Sequence, residues 1–469
     1  MVFALMEKKE KHLLSGPIVF DRLSEEVLPM SNHETPLDFK SESLSGSELR
    51  SRCYNAPIPP IIKRRMDLKG NPSNGNTQEF EHSFSQTDPS GIKFDFREGL
   101  RVMIPANMSG RYLVKAWDNQ TNFVHFETVL KPGESLASRK KWYIPWAFSV
   151  SKDGKEIMSH IMLLKDKDVA IHYPAGGIGD TLAWFSYARL FQETHNCKLT
   201  CCIDPRYHEL LTINDYASFE AEDAWKNTPY YAVYHMGIFS PDNDNDKQPM
   251  DFRFTGLHHN AGNILGLPNR DDPPEVWSPT ITLPSKPYVC IAARASARCK
   301  EWLNPAGWPT LIAWIKDKGY DVYDIDRDFL RDDDIIPYGT IDMTGEIPLT
   351  ERAAFIKGAS AFVGVSSGLT WLAWCCKVPT VIISGWTLPH TEFRTMYRVI
   401  NTSVCHGCWN DMREYFDHFD SNYCPRHKDT PRQHECSRSI SAQQVINVMK
   451  KIKGFSDEPK GKKGNKITS

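Results

Sequence analysis

The residues best equipped for chemistry fall into four groups, and the most specific is a set of cysteines. Cys405 and Cys408 have two residues between them, Cys424 follows after fifteen more, and Cys436 after a further eleven. Two close thiolates at the tip of a turn make half of a tetrahedral site, and a later pair completes it. The surrounding stretch, 402–438, is rich in Arg, Asp, His and Asn, which argues against four reduced core thiols. His406, His418, His427 and His434 lie in the same stretch and are alternative ligands. Four thiolates suit zinc or iron, and spacing does not choose between them. With four protein ligands no coordination position stays open, so such an ion is structural.

The second group is Gly176-Gly177-Ile178-Gly179-Asp180, between a strand-like run and a helix-like one. Small residues let backbone approach a ligand, and a helix N-terminus attracts anions. Asp180 then sits in the first turn, either as a catalytic carboxylate or as a plain complement to the helix dipole. The third group, Val365-Ser366-Ser367-Gly368-Leu369-Thr370-Trp371, ends a strand in two hydroxyls and a glycine. It reads as a diphosphate cradle or as an ordinary hydroxyl-capped helix. The fourth, Arg294–Trp302, follows a core strand and gathers Arg294, Arg298 and Lys300. Lys300 is the candidate to neutralise a phosphate leaving group, against a merely solvated basic loop.

These loops need strands to hold them. Asp168–Tyr173 is a buried strand that runs into the glycine loop and then a helix, with Trp184, Phe185, Ala188 and Phe191 on one face. From about 286, strands at Tyr288–Ala293, Tyr320–Asp326, Ala361–Val365 and Thr380–Ser384 alternate with helices at Pro305–Lys318, Leu349–Lys357 and Ser367–Cys376. That alternation predicts a parallel sheet with right-handed crossovers, whose ligands bind beyond the strands' carboxyl ends. Upstream, short alternating runs at 92–96, 101–104, 112–116, 124–128 and 142–150 predict a small antiparallel β domain. The expected organisation is an extension with little order (1–86), the β domain (87–167), two α/β lobes (168–285 and 286–453) and a loose tail (454–469).

Bulk properties remove several classes of function. The chain has 469 residues, too many for one core. Its 56 basic and 58 acidic side chains leave a formal charge of −2, which gives no electrostatic case for nucleic acid or an anionic membrane. No run of about 18 apolar residues predicts a membrane span. The first sixteen residues lack an apolar segment followed by a small-residue cleavage site, so a cytoplasmic location is expected. Cys201-Cys202 and Cys375-Cys376 lie in apolar runs and read as core.

The segments PAGGIGDTLAWFSYARLF (174–191), CKEW with Lys300, VSSGLTWLAW (365–374), ISGWTLPHTEF (383–393) and CHGCW…YCPRHKDT…QHEC (405–436) together resemble the bacterial autotransporter heptosyltransferases, relatives of the lipopolysaccharide heptosyltransferases. The resemblance spans roughly residues 90–450. It implies a GT-B fold of two Rossmann-like lobes, ADP-heptose as donor, and serine hydroxyls of an autotransporter passenger as acceptors. It implies iron in the Cys405–Cys436 finger and a homo-oligomer, up to a dodecameric ring. It makes Asp180 the general base of an inverting transfer and puts Lys300 on the donor phosphate. It places Gly177, Ile178, Gly179, Ser366, Ser367, Gly368, Leu369 and Thr370 in the substrate pocket. The lipopolysaccharide enzymes read Asp-[Ser/Thr]-Gly with a His in the next helix, whereas Ser366 and Trp371 stand there in this chain. Asp242, Asp244 and Asp246 lie in a polar loop away from any expected donor site, so leaving-group chemistry without catalytic Mg²⁺ is expected. The alternatives are a transferase for lipopolysaccharide or another small glycan, and a non-catalytic metal-finger scaffold on the same fold.

Overall fold

The computed structural model describes residues 83–327, 334, 336–417 and 419–456. Most of the 1–86 extension, the tail beyond 456 and His418 lie outside the described residues.

Eight strands build the β domain. A first antiparallel sheet joins β1 (Gln86–Thr87), β2 (Lys93–Asp95), β3 (Arg101–Met103) and β6 (Ser135–Ala137). A second joins β4 (Tyr112–Asp118), β5 (Val124–Leu130), β7 (Trp146–Lys152) and β8 (Lys155–Ile161) in the order β5-β4-β7-β8. Alternation sets the faces: Tyr112, Val114 and Ala116 are buried, while Lys115 reaches across to Glu127 at 2.8 Å in the open. Strand β8 has no counterpart in the sequence reading. It is turned by Asp153-Gly154, both at positive φ, the backbone a two-residue hairpin requires. The domain is tied to the next lobe by a bridge from Phe96 to Ala232 and by Arg97, which donates to the Trp225 carbonyl.

The first α/β lobe is a parallel sheet in the order β11-β10-β9-β12, with β9 (Asp168–His172), β10 (Lys198–Cys202), β11 (Ala217–Glu220) and β12 (Ala232–His235). The second is a six-stranded parallel sheet, β15-β14-β13-β16-β17-β18. Its strands are β13 (Tyr288–Ala292), β14 (Asp321–Asp324), β15 (Ile341–Asp342), β16 (Ala361–Val365), β17 (Thr380–Ile383) and β18 (Arg398–Val399). Strands β13, β16 and β17 are buried on both faces, as a parallel sheet covered by helices demands. The cysteine pairs 201–202 and 375–376 are core, as expected.

One helix differs from its expected form. The 178–195 segment is two helices, α1 (Ile178–Phe185) and α2 (Ala188–His195). The Ser186 hydroxyl donates back to the Ala183 carbonyl at 2.7 Å, a local bond that competes with the helical ladder and breaks it there. In the second lobe, α4 (Gly307–Asp317) and the last helix pack together against the sheet, the latter started by a Ser441/Gln444 capping box.

The two lobes meet along α1, α3 (Leu257–Ile264) and α6 (Gly368–Cys375). A Cβ on Gly179 of α1 would lie 3.1 Å from the Gly368 Cα and 3.0 Å from Trp371, so only glycine lets the two helix starts approach this closely. Behind them, fully buried His258 meets Asp271 at 2.7 Å, and the same carboxylate oxygen accepts the Arg394 amide of the second lobe at 3.0 Å. Together these features give the GT-B arrangement, two Rossmann-like lobes facing a shared cleft.

Candidate functional site

The cleft between the lobes holds about 790 Å³, and both lobes present their strands' carboxyl ends to it. From the first lobe, Gly177, Ile178, Gly179 and Asp180 line it; from the second, Lys300, Ser366, Ser367, Gly368 and Leu369. Sequence separations of more than a hundred residues therefore collapse onto one site.

Two helix N-termini converge there with their amides uncovered. Gly177, the N-cap of α1, is extended (φ −72°, ψ 153°) and carries no capping side chain. Ser367, the N-cap of α6, is likewise extended, and its buried hydroxyl makes no hydrogen bond. Each helix start thus leaves unpaired N–H donors and a positive dipole end directed at the cleft. Loop 174–180 is pinned from outside: the Ala175 amide donates to Glu222 at 2.7 Å and the Tyr207 hydroxyl to the Gly176 carbonyl at 3.1 Å. That pinning fixes Asp180 in the first turn of α1.

Lys300 ends a short 3₁₀ turn after β13, and its Nζ lies 3.1 Å from the Ser296 hydroxyl. The ammonium also sits 5.1 Å from the Trp386 ring centre and 5.6 Å from that of Phe416, so two aromatic faces hold the cation at the cleft wall. Arg294 lines the cleft with Lys300, as expected, but it is not solvated. It turns inward, 3.1 Å from Asp324 and 3.7 Å from Asp326, with its side chain 5% exposed. Asp326 accepts the amides of Ala293 and Arg294 and also lines the cleft. Burial, with Asp324 beside it, pushes the Asp326 carboxyl up to about 7. Thr370, expected in the pocket, is fully buried. Its hydroxyl donates to the Val365 carbonyl at 2.6 Å, so the side chain stabilises the strand-to-helix turn and does not line the cleft.

The sequence reading missed Glu392. It is 3% exposed, lines the cleft, accepts the Ser366 hydroxyl at 2.5 Å and the Thr387 hydroxyl at 2.8 Å, and pairs with Arg398. Also unforeseen is the aromatic wall of Trp386, Trp409 and Phe416, the last two supplied by the finger segment. Asp244 and Asp246 of the polar loop are engaged by Arg139 of the β domain at 2.6 and 2.8 Å, away from the cleft.

The finger, 402–438, has little regular structure beyond one 3₁₀ turn and one helical turn at Glu435–Arg438. Gly407, at φ +70°, makes the left-handed turn between Cys405 and Cys408. Burial holds the Cys436 thiol above its ordinary range, with Cys408, Cys424 and Cys405 adding to the shift, and burial pushes Cys408 up to about 12. The His434 amide points at the Cys424 sulfur at 3.4 Å and the Arg426 guanidinium at the Cys405 sulfur at 3.7 Å, partners a thiolate cluster uses. Four thiols in one segment are the donor chemistry a soft ion takes. Among the described residues, however, the potential ligand atoms that lie within 4.8 Å of one another here are those of Cys405, His427 and Glu435. Buried Cys299, next to Lys300, packs with Cys408, Tyr423 and Trp386, so the finger lies directly behind the lysine loop.

A two-lobed fold with bare helix starts, a lysine and a carboxylate on one cleft defines a GT-B glycosyltransferase. Residues 88–154 match the family described as "Glycosyltransferase TibC, N-terminal domain", and residues 270–413 match "Glycosyltransferase family 9 (heptosyltransferase)". The chain is 39% identical to the autotransporter heptosyltransferase Aah of Escherichia coli, over 78% of this chain and 94% of that protein. Crystal structures of TibC from enterotoxigenic E. coli superpose with TM-scores of 0.75 and 0.74, at 38% and 37% identity, covering 79% of this chain and 97% of TibC. One is described as an iron-containing dodecameric glycosyltransferase, the other as its complex with ADP-D-beta-D-heptose. A further relative, 34% identical over 78% of this chain and 86% of its own length, is the inactive autotransporter heptosyltransferase BimC of Burkholderia thailandensis. The chain belongs to the autotransporter heptosyltransferase family. Among the described residues no helix is long and apolar enough to cross a membrane.

Proposed function

We propose that this chain transfers heptose from ADP-heptose to serine hydroxyls of an autotransporter passenger in the cytoplasm. The observation that carries the reading is the convergence of Asp180, Lys300 and two uncapped helix starts on one interlobe cleft. The diphosphate lies against the amides of Ser367–Leu369, with Lys300 neutralising charge that builds on the departing ADP. Asp180, on the opposite lobe, takes the proton of the serine hydroxyl as that oxygen attacks the anomeric carbon from the face away from the diphosphate. The anomeric configuration inverts. Gly177 carries no side chain that would stand between a substrate and the Asp180 carboxylate, whose Oδ2 lies 3.5 Å from where a Cβ would sit.

Cys405, Cys408, Cys424 and Cys436 would hold the finger's ion, and the likeness to iron-containing TibC favours iron over zinc. A closed four-thiolate shell leaves the ion a structural role, ordering the segment that supplies Trp409 and Phe416 to the cleft. The same likeness favours a dodecameric homo-oligomer. Exposed Leu113 and Val129, cross-strand neighbours on the outer face of the β domain, offer apolar surface for it.

The donor reading is tested by titrating wild-type protein and Lys300→Ala with ADP-heptose, UDP-glucose and GDP-mannose. Selective binding of ADP-heptose, weakened about tenfold or more by the substitution, is expected for loss of a charge-assisted phosphate contact. Equal binding of all three donors would defeat the assignment. The likeness to inactive BimC favours a second reading, a non-catalytic member of the family, which binds donor and transfers nothing.

A further inference from the structure

The geometry assigns Glu392 as the residue that recognises the transferred sugar of the donor, a role that rests on the donor reading above.

Ser366 immediately precedes the α6 helix start, and its hydroxyl donates to Glu392 Oε1 at 2.5 Å. A serine hydroxyl has one proton, so once it is committed to the carboxylate, Ser366 meets any ligand only as an acceptor. Glu392 is likewise acceptor-only while ionised. Arg398 bonds its Oε2, and Thr387 donates to Oε1 at 2.8 Å. Thr387 is itself held by Ser384 at 2.8 Å and by Arg398 at 2.9 Å. These partners fix the rotamer, and Oε2 keeps a lone pair beyond its bond to Arg398.

The cleft therefore has two chemically opposite ends within one lobe. The bare amides of Ser367–Leu369 and the Lys300 ammonium supply donors and positive charge. Ser366 and Glu392 supply acceptors, the carboxylate's charge being balanced by Arg398. The first end holds a diphosphate, and the second offers it no donor that is not already engaged. A polyol, rich in hydroxyl donors, is the group that satisfies an acceptor-only patch. The donor's sugar thus lies at Glu392, and its hydroxyls donate to the Glu392 carboxylate and the Ser366 oxygen. Arg398 acts as a positioning residue that holds the carboxylate.

The test measures binding of ADP and of ADP-heptose to wild type, Glu392→Gln and Ser366→Ala, with melting temperature as the control on folding. Glutamine keeps the shape and replaces one acceptor oxygen with a donor. The expected result is ADP binding within about twofold of wild type, and a heptose-over-ADP advantage cut about tenfold or more, the range for one hydrogen bond to a charged group. Ser366→Ala, which leaves the Glu392–Arg398 ion pair intact, is the second variant and is expected to cut the same advantage about threefold or more while sparing ADP. A full heptose advantage in folded Glu392→Gln would overturn the assignment, as would equal loss of ADP and ADP-heptose binding in both variants, which marks a purely structural role. Wild-type protein with no preference for ADP-heptose over ADP would instead overturn the donor reading itself.

Discussion

Gly179→Ala separates two effects that the structure sets against each other. Inside a helix, alanine is favoured over glycine by about 0.8–1.0 kcal/mol, so in isolation α1 gains from the change. The added methyl, however, lies 3.0 Å from Trp371 Cδ1 and 3.1 Å from the Gly368 Cα of the opposite lobe. The second of these is backbone at a helix start and cannot swing aside as a side chain would. Forcing an extra methyl into a packed contact costs about 1–3 kcal/mol, so the clash wins or at best balances the propensity gain. The cheapest relief is to move α1 and α6 apart, which separates the two helix starts that face one ligand. The expected outcome is a melting temperature at or below wild type together with ADP binding about tenfold weaker. Calorimetric titration and a melting scan of the same sample measure both. A variant more stable than wild type that binds ADP equally well would refute the view that the Gly179–Gly368 approach sets the geometry of the cleft.

Two further outcomes follow from the same structure. Cys408→Ala is expected to lower metal content and melting temperature together, and to weaken ADP binding, because the finger backs the Lys300 loop through Cys299 and Trp386; metal analysis beside a melting scan checks it, and full metal content would exclude Cys408 as a ligand. For pH, Asp326 is raised to about 7, so its neutral form is bound more tightly in the folded state. Its contribution to stability is complete below the unfolded carboxylate value of about 3.9 and is lost as pH rises through neutrality. Ionisation also adds negative charge to the cleft, so ADP affinity should fall as pH rises through about 7. Asp326→Asn should flatten both profiles, and an unchanged pH dependence in that variant would exclude Asp326 as the source.

What could be read from the sequence was whatever has a local cause. Buried strands such as Ala361–Val365 and the apolar helical face of Trp184, Phe185, Ala188 and Phe191 were legible because continuous apolar runs and 3.6-residue periodicity are properties of short windows. The glycine loop, Lys300 and the serine loop could be picked out because each follows a core strand, where parallel sheets place ligands. The break at Ser186 depends on a choice between two hydrogen bonds open to the same hydroxyl, which no periodicity reports. Strand β8 did leave a signal, Asp153-Gly154, but its own residues are too polar to alternate clearly. Thr370 looked like a pocket residue from its place in the motif, yet its hydroxyl is spent on Val365. Glu392 was invisible for a different reason: it meets Ser366 across 26 residues of chain, a pairing fixed only when β16, β17 and β18 align side by side. Arg294 was placed at the cleft correctly, but its inward turn was not legible, since the carboxylates that draw it inward lie on the neighbouring strand's end.

Transfer in this cleft with Asp180 as the base is the proposal with the most to lose from a direct assay. The most direct measurement is heptosylation of an autotransporter passenger by purified protein with ADP-heptose, read by mass spectrometry of the passenger, for wild type and Asp180→Asn, with ADP-heptose binding measured alongside. The account predicts serine-linked heptose with wild type, and for Asp180→Asn retained donor binding with transfer slowed about a hundredfold or more, as expected for loss of a general base. Donor binding without transfer by wild type, or transfer undiminished in Asp180→Asn, would contradict it.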